Sequence, residues 1–142
     1  MSSLREGLRA YLAEQEPVVS LVGRKIFGEK GDQWARSPVL IYTQTSGSEP
    51  GHLTGATTLA QATVQIDAWS KRDKEAERII EAVRDVLHTF LGGTMGDVAV
   101  RSCRLQSGPV SGWESQEDGG DVGAYRSSVN YGFWYRVLAP AL

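Results

Sequence analysis

TTLAQATVQIDAWS at residues 57–70 leads directly into KRDKEAERIIEAVRDVLHTFLGG at residues 71–93, and the change in apolar spacing between the two decides the fold. In the first segment, apolar residues from Val64 to Ala68 alternate with polar ones, which predicts a strand with one buried face. In the second, the period becomes that of a helix whose apolar side consists of Ala76, Ile79, Ile80, Val83, Val86, Leu87 and Phe90. The closing Gly-Gly pair predicts the end of this helix. A strand that runs into an amphipathic helix is therefore the centre of the predicted structure.

Weaker patterns on both sides of this centre predict the remaining elements. They are a helix over 3–16, a helical turn over 17–23, strands over 25–27, 39–45, 97–106 and 125–137, and loops over 28–37, 46–55 and 107–123. Within the strand over 97–106 the apolar phase shifts between Val100 and Cys103, which predicts a β-bulge. Most links fit antiparallel pairing, so we expect an α+β fold: a mostly antiparallel sheet of four to five strands with two main helices packed on one face.

Size and composition indicate a single globular domain over residues 1–142. The net charge of −2 and the pI near 5.7 give no overall basic surface for nucleic acid or anionic lipid. The single cysteine, Cys103, cannot form an intramolecular disulfide and lies in an apolar run, which fits a small hydrophobe in a reducing compartment. The N-terminal residues have no apolar leader, and no uninterrupted apolar segment of about 18 residues occurs. We therefore expect a cytosol-like location and no membrane contact.

Residue types that carry chemistry are scattered in this sequence. The two histidines, His52 and His88, are 36 positions apart and neither belongs to a CxxC or HExxH motif. No GxxxxGK[ST] motif occurs, and the glycines at 92–96 follow a helix rather than opening one. The acidic segment 114–121 lacks the alternating spacing of a calcium loop. The sequence therefore predicts no catalytic residue, no metal and no cofactor.

Two tryptophans are the strongest candidates for contacts with other proteins. Trp69 and Trp134 fall on strand faces opposite the residues assigned to the helix-covered core, beside polar side chains. Large aromatic side chains on such a face are typical of subunit interfaces, and a loop folded back over them is the alternative. His52 and Trp113 lie in two long predicted loops, which we expect to adapt to partners. These two residues join the tryptophans as candidate contact residues.

The outer side of the predicted helix carries like charges at Glu77, Glu81 and Asp85, spaced four residues apart. Like charges at this spacing repel each other by about 0.2–0.5 kcal/mol per pair. A Lys or Arg from another subunit would relieve the repulsion, which makes the three residues candidate interface residues. Screened surface charge without any partner is the alternative.

Several segments together resemble a known family. They are the opening helix with Val18-Val19-Ser20-Leu21-Val22-Gly23 and Ile26-Phe27, then Pro38-Val39-Leu40-Ile41-Tyr42, Val64-Gln65-Ile66-Asp67-Ala68-Trp69-Ser70, and Tyr125-Arg126 to Phe133-Trp134-Tyr135. Their order and spacing along nearly the whole chain resemble the tail completion or tail terminator proteins of long-tailed bacteriophages and prophages. Residues 28–37 and 108–123 do not follow the pattern.

This resemblance implies a structural virion protein and no enzyme. It implies a ring, usually a hexamer, on the head-proximal end of the tail tube, where the ring stops tube polymerisation and joins the tail to the head connector. The implied partners are further copies of the chain, the tail tube protein and the head–tail connector protein. The implied location is the tail or neck of the virion, and the host cytoplasm during assembly. Six chains at −2 each carry −12, so we expect DNA to pass through the ring without specific binding, because such binding requires Lys or Arg on the phosphates.

Two other readings stay open from the residues alone. Another neck or minor tail component would share the same ring-forming, non-catalytic features. A small ligand-binding or enzymatic α+β domain would instead place a site between the sheet and residues 107–123, using Asp67, Glu114 or His52. A concave pocket with a buried, perturbed carboxylate would favour that reading, and an aromatic surface between subunits would disfavour it.

Overall fold

The computed structural model describes residues 4–28, 38–48, 57–115 and 123–138, which form three helices and six strands. The helices are α1 (Leu4–Ala13), α2 (Glu16–Val22) and α3 (Asp73–His88). The strands are β1 (Ile26–Gly28), β2 (Val39–Ser48), β3 (Thr57–Ser70), β4 (Gly93–Met95), β5 (Val98–Ser115) and β6 (Gly123–Leu138).

All six strands belong to one mixed sheet in the order β1-β2-β3-β6-β5-β4. β1 pairs with β2 in parallel, and every other neighbouring pair in this sheet is antiparallel. The prediction of a mostly antiparallel sheet of four to five strands with two main helices is therefore wrong. The described chain has six strands with both kinds of pairing, and a third helix.

One strand that the sequence did not predict is short. Residues Gly93–Met95 have the composition of a turn, yet they form an edge strand against Val98–Val100. The helical turn predicted over 17–23 is the seven-residue helix α2, which ends before Gly23, whose φ of 62° is readily adopted by glycine. Three strand residues contain too few positions for a period to be recognised. Pairing with the rest of the sheet, and not local pattern, decides such elements.

Much of the segment 107–123 is strand rather than loop, which corrects a second prediction. β5 continues to Ser115 and β6 begins at Gly123, so the two strands form a long hairpin. The register shifts between Ser107 and Val110, which leaves Gly108 and Pro109 outside the ladder. These two residues suggest a loop in the sequence, but a bulge accommodates them within a strand.

The bulge predicted from the change of apolar phase in β5 is confirmed. Val100 pairs with Tyr135, and the register then shifts before Ser102 pairs with Trp134. One extra residue in a strand moves the following side chains to the other face. Cys103 therefore returns to the side of the sheet that faces the helices, where it packs against the core.

The predicted apolar side of α3 is confirmed as the centre of the core, except that Phe90 lies beyond the end of the helix, where it is partly buried against the core. Its buried residues are Ala76, Ile79, Ile80, Val83, Val86 and Leu87. They pack on β3, β6 and β5, whose inward side chains include Val64, Ile66 and Phe133, all fully buried. Residues of α1 and α2 join the same cluster, so all three helices lie on one side of the sheet.

The sheet is curled, and α1 lies between its two edges. The Arg9 Nε donates a hydrogen bond to the carbonyl of Ile26 in β1 at 3.1 Å. On its other side, Gly7 is buried against the carbonyl of Met95 in β4. β1 and β4 are opposite edges of the sheet, so contact with both requires a curled sheet that α1 closes. Covering short edge strands with a helix protects their unpaired backbone groups from other chains.

Candidate interaction surface

We call the side of the sheet that faces away from the helices the outer face. Alternation along paired β3 and β6 places on this face the residues that are out of phase with the core. From these two strands they are Leu59, Gln61, Thr63, Gln65, Asp67, Trp69, Arg126, Ser128, Asn130, Trp134 and Arg136. Trp69 and Trp134 therefore lie opposite the helices, as the sequence predicts. Their role in contacts with other proteins stays a prediction.

The two tryptophans lie at opposite ends of the outer face. Trp69 pairs with Arg126, and Trp134 pairs with Gln61. Eight positions of β3 separate residues 61 and 69, which corresponds to about 27 Å at the usual rise of a strand. The tryptophans therefore cannot belong to one small patch, and each has different surroundings.

The end of the outer face around Trp69 is occupied by contacts within the chain. The Arg126 guanidinium lies 5.7 Å from the centroid of the Trp69 ring and forms an ion pair with Glu114 at 3.2 Å. Val39 and Ile41, which share this face on β2, are both buried. Trp69 itself is half-buried. This tryptophan thus stacks with Arg126 of its own chain, and its neighbours Val39 and Ile41 on the same face are buried.

Asp67 is a candidate site residue in the alternative enzymatic hypothesis, and its surroundings are those of a buried carboxylate with a structural role. It is 6% exposed, and both carboxylate oxygens accept hydrogen bonds from Gln65 Nε2, at 3.0 and 3.1 Å. Buried polar groups in folded proteins are satisfied in this way. Glu114, the second candidate, is paired with Arg126 on β6.

The other end of the outer face is exposed and combines apolar and basic side chains. Leu59 is 41% exposed and Trp134 is 39% exposed. Leu59 pairs with Arg136, and both line a shallow depression of about 480 Å³ together with Arg101 from β5. We call Leu59, Trp134, Arg101 and Arg136 the Trp134 patch. Exposed aromatic and arginine side chains in one patch are enriched at protein interfaces.

Three residues of the Trp134 patch were not among the candidates from sequence. For Leu59 a signal exists, because it shares the phase of Gln61 and not that of buried Ala60. Arg101 lies next to the bulge of β5, so its face cannot be read from alternation. Arg136 comes next to Arg101 only through the pairing of β5 with β6.

The candidate residues on α3 lie together on the exposed side of that helix. Glu77, Glu81 and Asp85 are exposed, while their helix buries its opposite side on the sheet. None of the three forms an ion pair with another residue of the described ranges. We call them the acidic stripe.

Of the last two candidate contact residues, the structure describes Trp113 but not His52. Trp113 lies in β5 and not in a loop, and its ring packs edge-on against Tyr125, with centroids 5.1 Å apart and planes at 72°. It remains 46% exposed. His52 lies outside the described residues, so its prediction is untested.

The fold brings Cys103 and His88 together, although they are distant in the sequence. Both line a pocket of about 220 Å³ between α3 and the sheet, with Tyr131. The Cys103 thiol donates a hydrogen bond to the carbonyl of Leu87, with 3.4 Å between sulfur and oxygen. Burial raises the pKa of this thiol to about 11. A nucleophilic cysteine needs a lowered pKa, so the arrangement favours a packing role over catalysis.

The last features of the described parts of the chain are the placement of possible metal ligands and the length of the helices. Across 4–28, 38–48, 57–115 and 123–138, no three His, Cys, Asp or Glu side chains are grouped in a way that would hold a metal ion. No helix in these ranges has the length and apolarity needed to cross a bilayer.

Comparison with protein families gives one match that covers most of the chain. The model of the family "Tail completion protein gp17" matches residues 6–136. The chain belongs to this phage tail completion family. A comparison with curated proteins found no match.

Membership of the tail completion family places the surfaces described above in context. A phage tail completion protein is a structural component of the virion that contacts other virion proteins. This role suggests a protein without catalytic activity. For a member of the tail completion family, the exposed Trp134 patch and the acidic stripe are therefore candidate protein contacts rather than parts of an active site.

Proposed function

We propose that the chain forms a ring, with six copies as the expected number, on the head-proximal end of the phage tail tube. The ring ends polymerisation of the tube and presents a surface to the head connector. The tail completion family supports the structural role in the tail, and the ring, its order and its neighbours are the proposal.

The observation that carries the proposal is the exposure of the Trp134 patch. A tryptophan and a leucine about 40% exposed on the same end of a sheet face cost free energy when they remain in water. Burial against another protein removes that cost, and the flanking arginines suit the rim of such a contact. A ring is a closed way for identical chains to bury one such patch each.

The charge of the chain is compatible with a channel for DNA. Six copies at −2 each carry −12 in total. Retention of DNA requires Lys and Arg side chains on many phosphates, with release of counterions. A ring without a strongly basic channel would therefore let DNA pass. A measured potential that is strongly positive in the channel would contradict this part of the proposal.

The oligomeric state tests the ring directly. Size exclusion with light scattering, followed by electron microscopy of the isolated particles, is expected to show a six-fold annulus. The test is repeated with purified tail tubes, because the tube end can act as a template for assembly. A chain that stays monomeric both alone and with tube ends would contradict the proposal.

Substitution of Trp134 tests the surface. Trp134→Ala is expected to weaken self-association by at least about tenfold, since central aromatic residues dominate interfaces, and to change the free energy of unfolding by less than about 1 kcal/mol. Val110→Ala, which truncates a side chain that is 68% exposed elsewhere on β5, serves as control and should change neither quantity much. Unchanged association with a large loss of stability would instead assign Trp134 to the chain's own core.

Termination of the tube needs a separate test in an assembling phage. Removal of the chain is expected to give tail tubes of uncontrolled length that are not joined to heads. Tubes of normal length without the chain would show that another component ends polymerisation, and would favour a neighbouring position in the neck.

A further inference from the structure

The Trp134 patch carries positive charge that is not neutralised within the described chain. Arg101 and Arg136 line the same depression of about 480 Å³ beside Leu59. Both arginines are exposed, and neither forms an ion pair with an acidic residue of the described ranges. The patch thus combines two apolar side chains with two guanidinium groups that have no ion-pair partner among the described residues.

The acidic stripe presents carboxylates on the other side of the molecule, on a helix that also exposes Lys74 and Arg78. Glu77, Glu81 and Asp85 extend over about 12 Å of helix at a rise of 1.5 Å per residue. They repel each other at i,i+4 spacing, and no described cation lies close enough to form an ion pair with them. α3 packs on the inner side of the sheet, and the Trp134 patch lies on the outer face. The acidic stripe and the Trp134 patch are therefore on opposite sides of the sheet, and both face outward.

We infer that the Trp134 patch of one copy docks on the acidic stripe of α3 in the next copy. This inference rests on the proposed ring and names the two surfaces that build it. The Leu59 side chain and the Trp134 ring would pack on α3 of the next copy, while Arg101 and Arg136 would reach the carboxylates of its acidic stripe. Arginine is suited to this contact because its planar guanidinium binds carboxylates in a bidentate manner.

The position of the two surfaces agrees with a head-to-tail contact. A two-fold dimer needs one patch that is complementary to itself, but two arginines facing two arginines would repel. Two different complementary surfaces on one chain instead produce a heterologous contact, which closes into a ring when the rotation between copies permits.

DNA is the other polyanion that a phage neck contacts, and the patch fits it less well. Two arginines neutralise few phosphates, whereas duplex binding at physiological salt uses many such contacts. Leu59 and Trp134 add apolar surface that a phosphate backbone does not bury. The same chain already carries a carboxylate stripe on α3. A second copy is therefore the occupant that the chemistry favours.

Charge reversal with rescue tests the contact in the full-length chain. Glu81→Arg alone and Arg136→Glu alone are each expected to raise the dissociation constant of self-association at least about tenfold, because like charges then face each other. The double variant Glu81→Arg with Arg136→Glu restores the attraction and should recover most of the lost affinity. Sedimentation at several protein concentrations measures the constant, and thermal unfolding checks that each variant is folded.

Matched controls change the net charge of the chain by the same amount as the test variants while leaving the two surfaces intact. Glu14→Arg matches Glu81→Arg and Arg24→Glu matches Arg136→Glu, and both reverse exposed charges, just after α1 and just after α2. Each should leave the dissociation constant within about twofold of the original. Raising the salt concentration should weaken self-association of the original chain, because salt screens exposed charges. It should have less effect on the free energy of unfolding, which serves as the control.

The outcomes separate this inference from the proposed function. A ring that forms as well in Glu81→Arg and in Arg136→Glu as in the original chain would overturn the inference and leave the proposed ring standing. An original chain that never assembles, even with tail tubes, would overturn the proposed function itself. Loss of binding to a 30-base-pair duplex in Arg136→Glu, measured by fluorescence anisotropy, with unchanged self-association would show that the patch binds DNA and would also overturn the inference.

Discussion

Gly7 shows how the role of one residue changes between sequence and fold. Within a helix a glycine costs about 1 kcal/mol relative to alanine, so its position in α1 is unfavourable locally. In the fold, a Cβ at this position would lie 2.5 Å from the carbonyl oxygen of Met95 in β4. At Gly96, where φ is 60°, a Cβ would lie 3.1 Å from the Cα of Gly7. The two glycines allow α1 to contact the β4–β5 turn closely.

Gly7→Ala is therefore expected to lower the free energy of unfolding by about 1–3 kcal/mol, despite the better helix propensity of alanine, because the backbone must move apart. Chemical denaturation measures the change. Gly112→Ala is the matched control, since a Cβ there meets no atom within 4 Å, and it should shift stability by less than about 0.5 kcal/mol. A Gly7→Ala chain more stable than the original would show that α1 is not in such close contact with β4.

At the scale of elements, α3 has two sides with different roles. One side is buried against three strands and stabilises the monomer, while the other carries the acidic stripe. A residue of the preceding strand also stabilises the start of this helix. Ser70, at the end of β3, accepts a hydrogen bond from the backbone N–H of Arg72 and donates one to Glu75. The strand-to-helix junction is thus stabilised by side chains that lie within six residues of each other.

Truncation on the two sides of α3 is expected to have very different effects. Ile80→Ala should lower the free energy of unfolding by about 2–5 kcal/mol, because Ile80 is 1% exposed and a cavity would remain. Arg78→Ala, on the exposed part of the same helix, should change it by less than about 0.5 kcal/mol. Urea unfolding at low protein concentration measures both. Similar losses for the two variants would contradict the assignment of the buried side.

At the scale of the whole molecule, the curled sheet and its helices hold several weak acids in their protonated forms. Burial raises the pKa of the Cys103 thiol from 9.0 to about 11. Burial also raises the pKa of the Tyr11, Tyr42 and Tyr131 phenols above 10.0. The native chain therefore binds these protons more tightly than the unfolded chain does.

Stability is expected to fall as the pH rises from 9 to 11. In this range the unfolded chain loses the Cys103 proton near pH 9, whereas the native chain keeps it until about pH 11. Because the native state then binds more protons, the free energy of unfolding decreases with increasing pH. Denaturation at pH 8, 9, 10 and 11 measures the slope, and Cys103→Ala is expected to reduce it. A constant stability up to pH 11 would contradict the burial of these groups.

The candidate surface was predictable only in part. Trp134 was found because alternation in β6 is regular over its whole length, and the acidic stripe because i,i+4 spacing is a local property. Leu59 and Arg136 became neighbours only through the pairing of β3 with β6, which joins residues about 77 positions apart in the chain. Whether Trp69 is free or stacked on Arg126 likewise depends on distant partners.

The sequence by itself determined the strand–helix centre of this protein, the apolar side of α3, the bulge in β5, the faces of the two tryptophans and the resemblance to tail completion proteins. These features depend on residues close together in the chain, where a period of 2 or 3.6 decides which side of an element is apolar. Only the tertiary structure decided that Gly93–Met95 is an edge strand, that the sheet curls around α1, and that one end of the outer face is covered while the other is exposed. Short strands and surface patches are stabilised by partners from distant parts of the chain, so their existence follows from pairing and packing and not from local spacing.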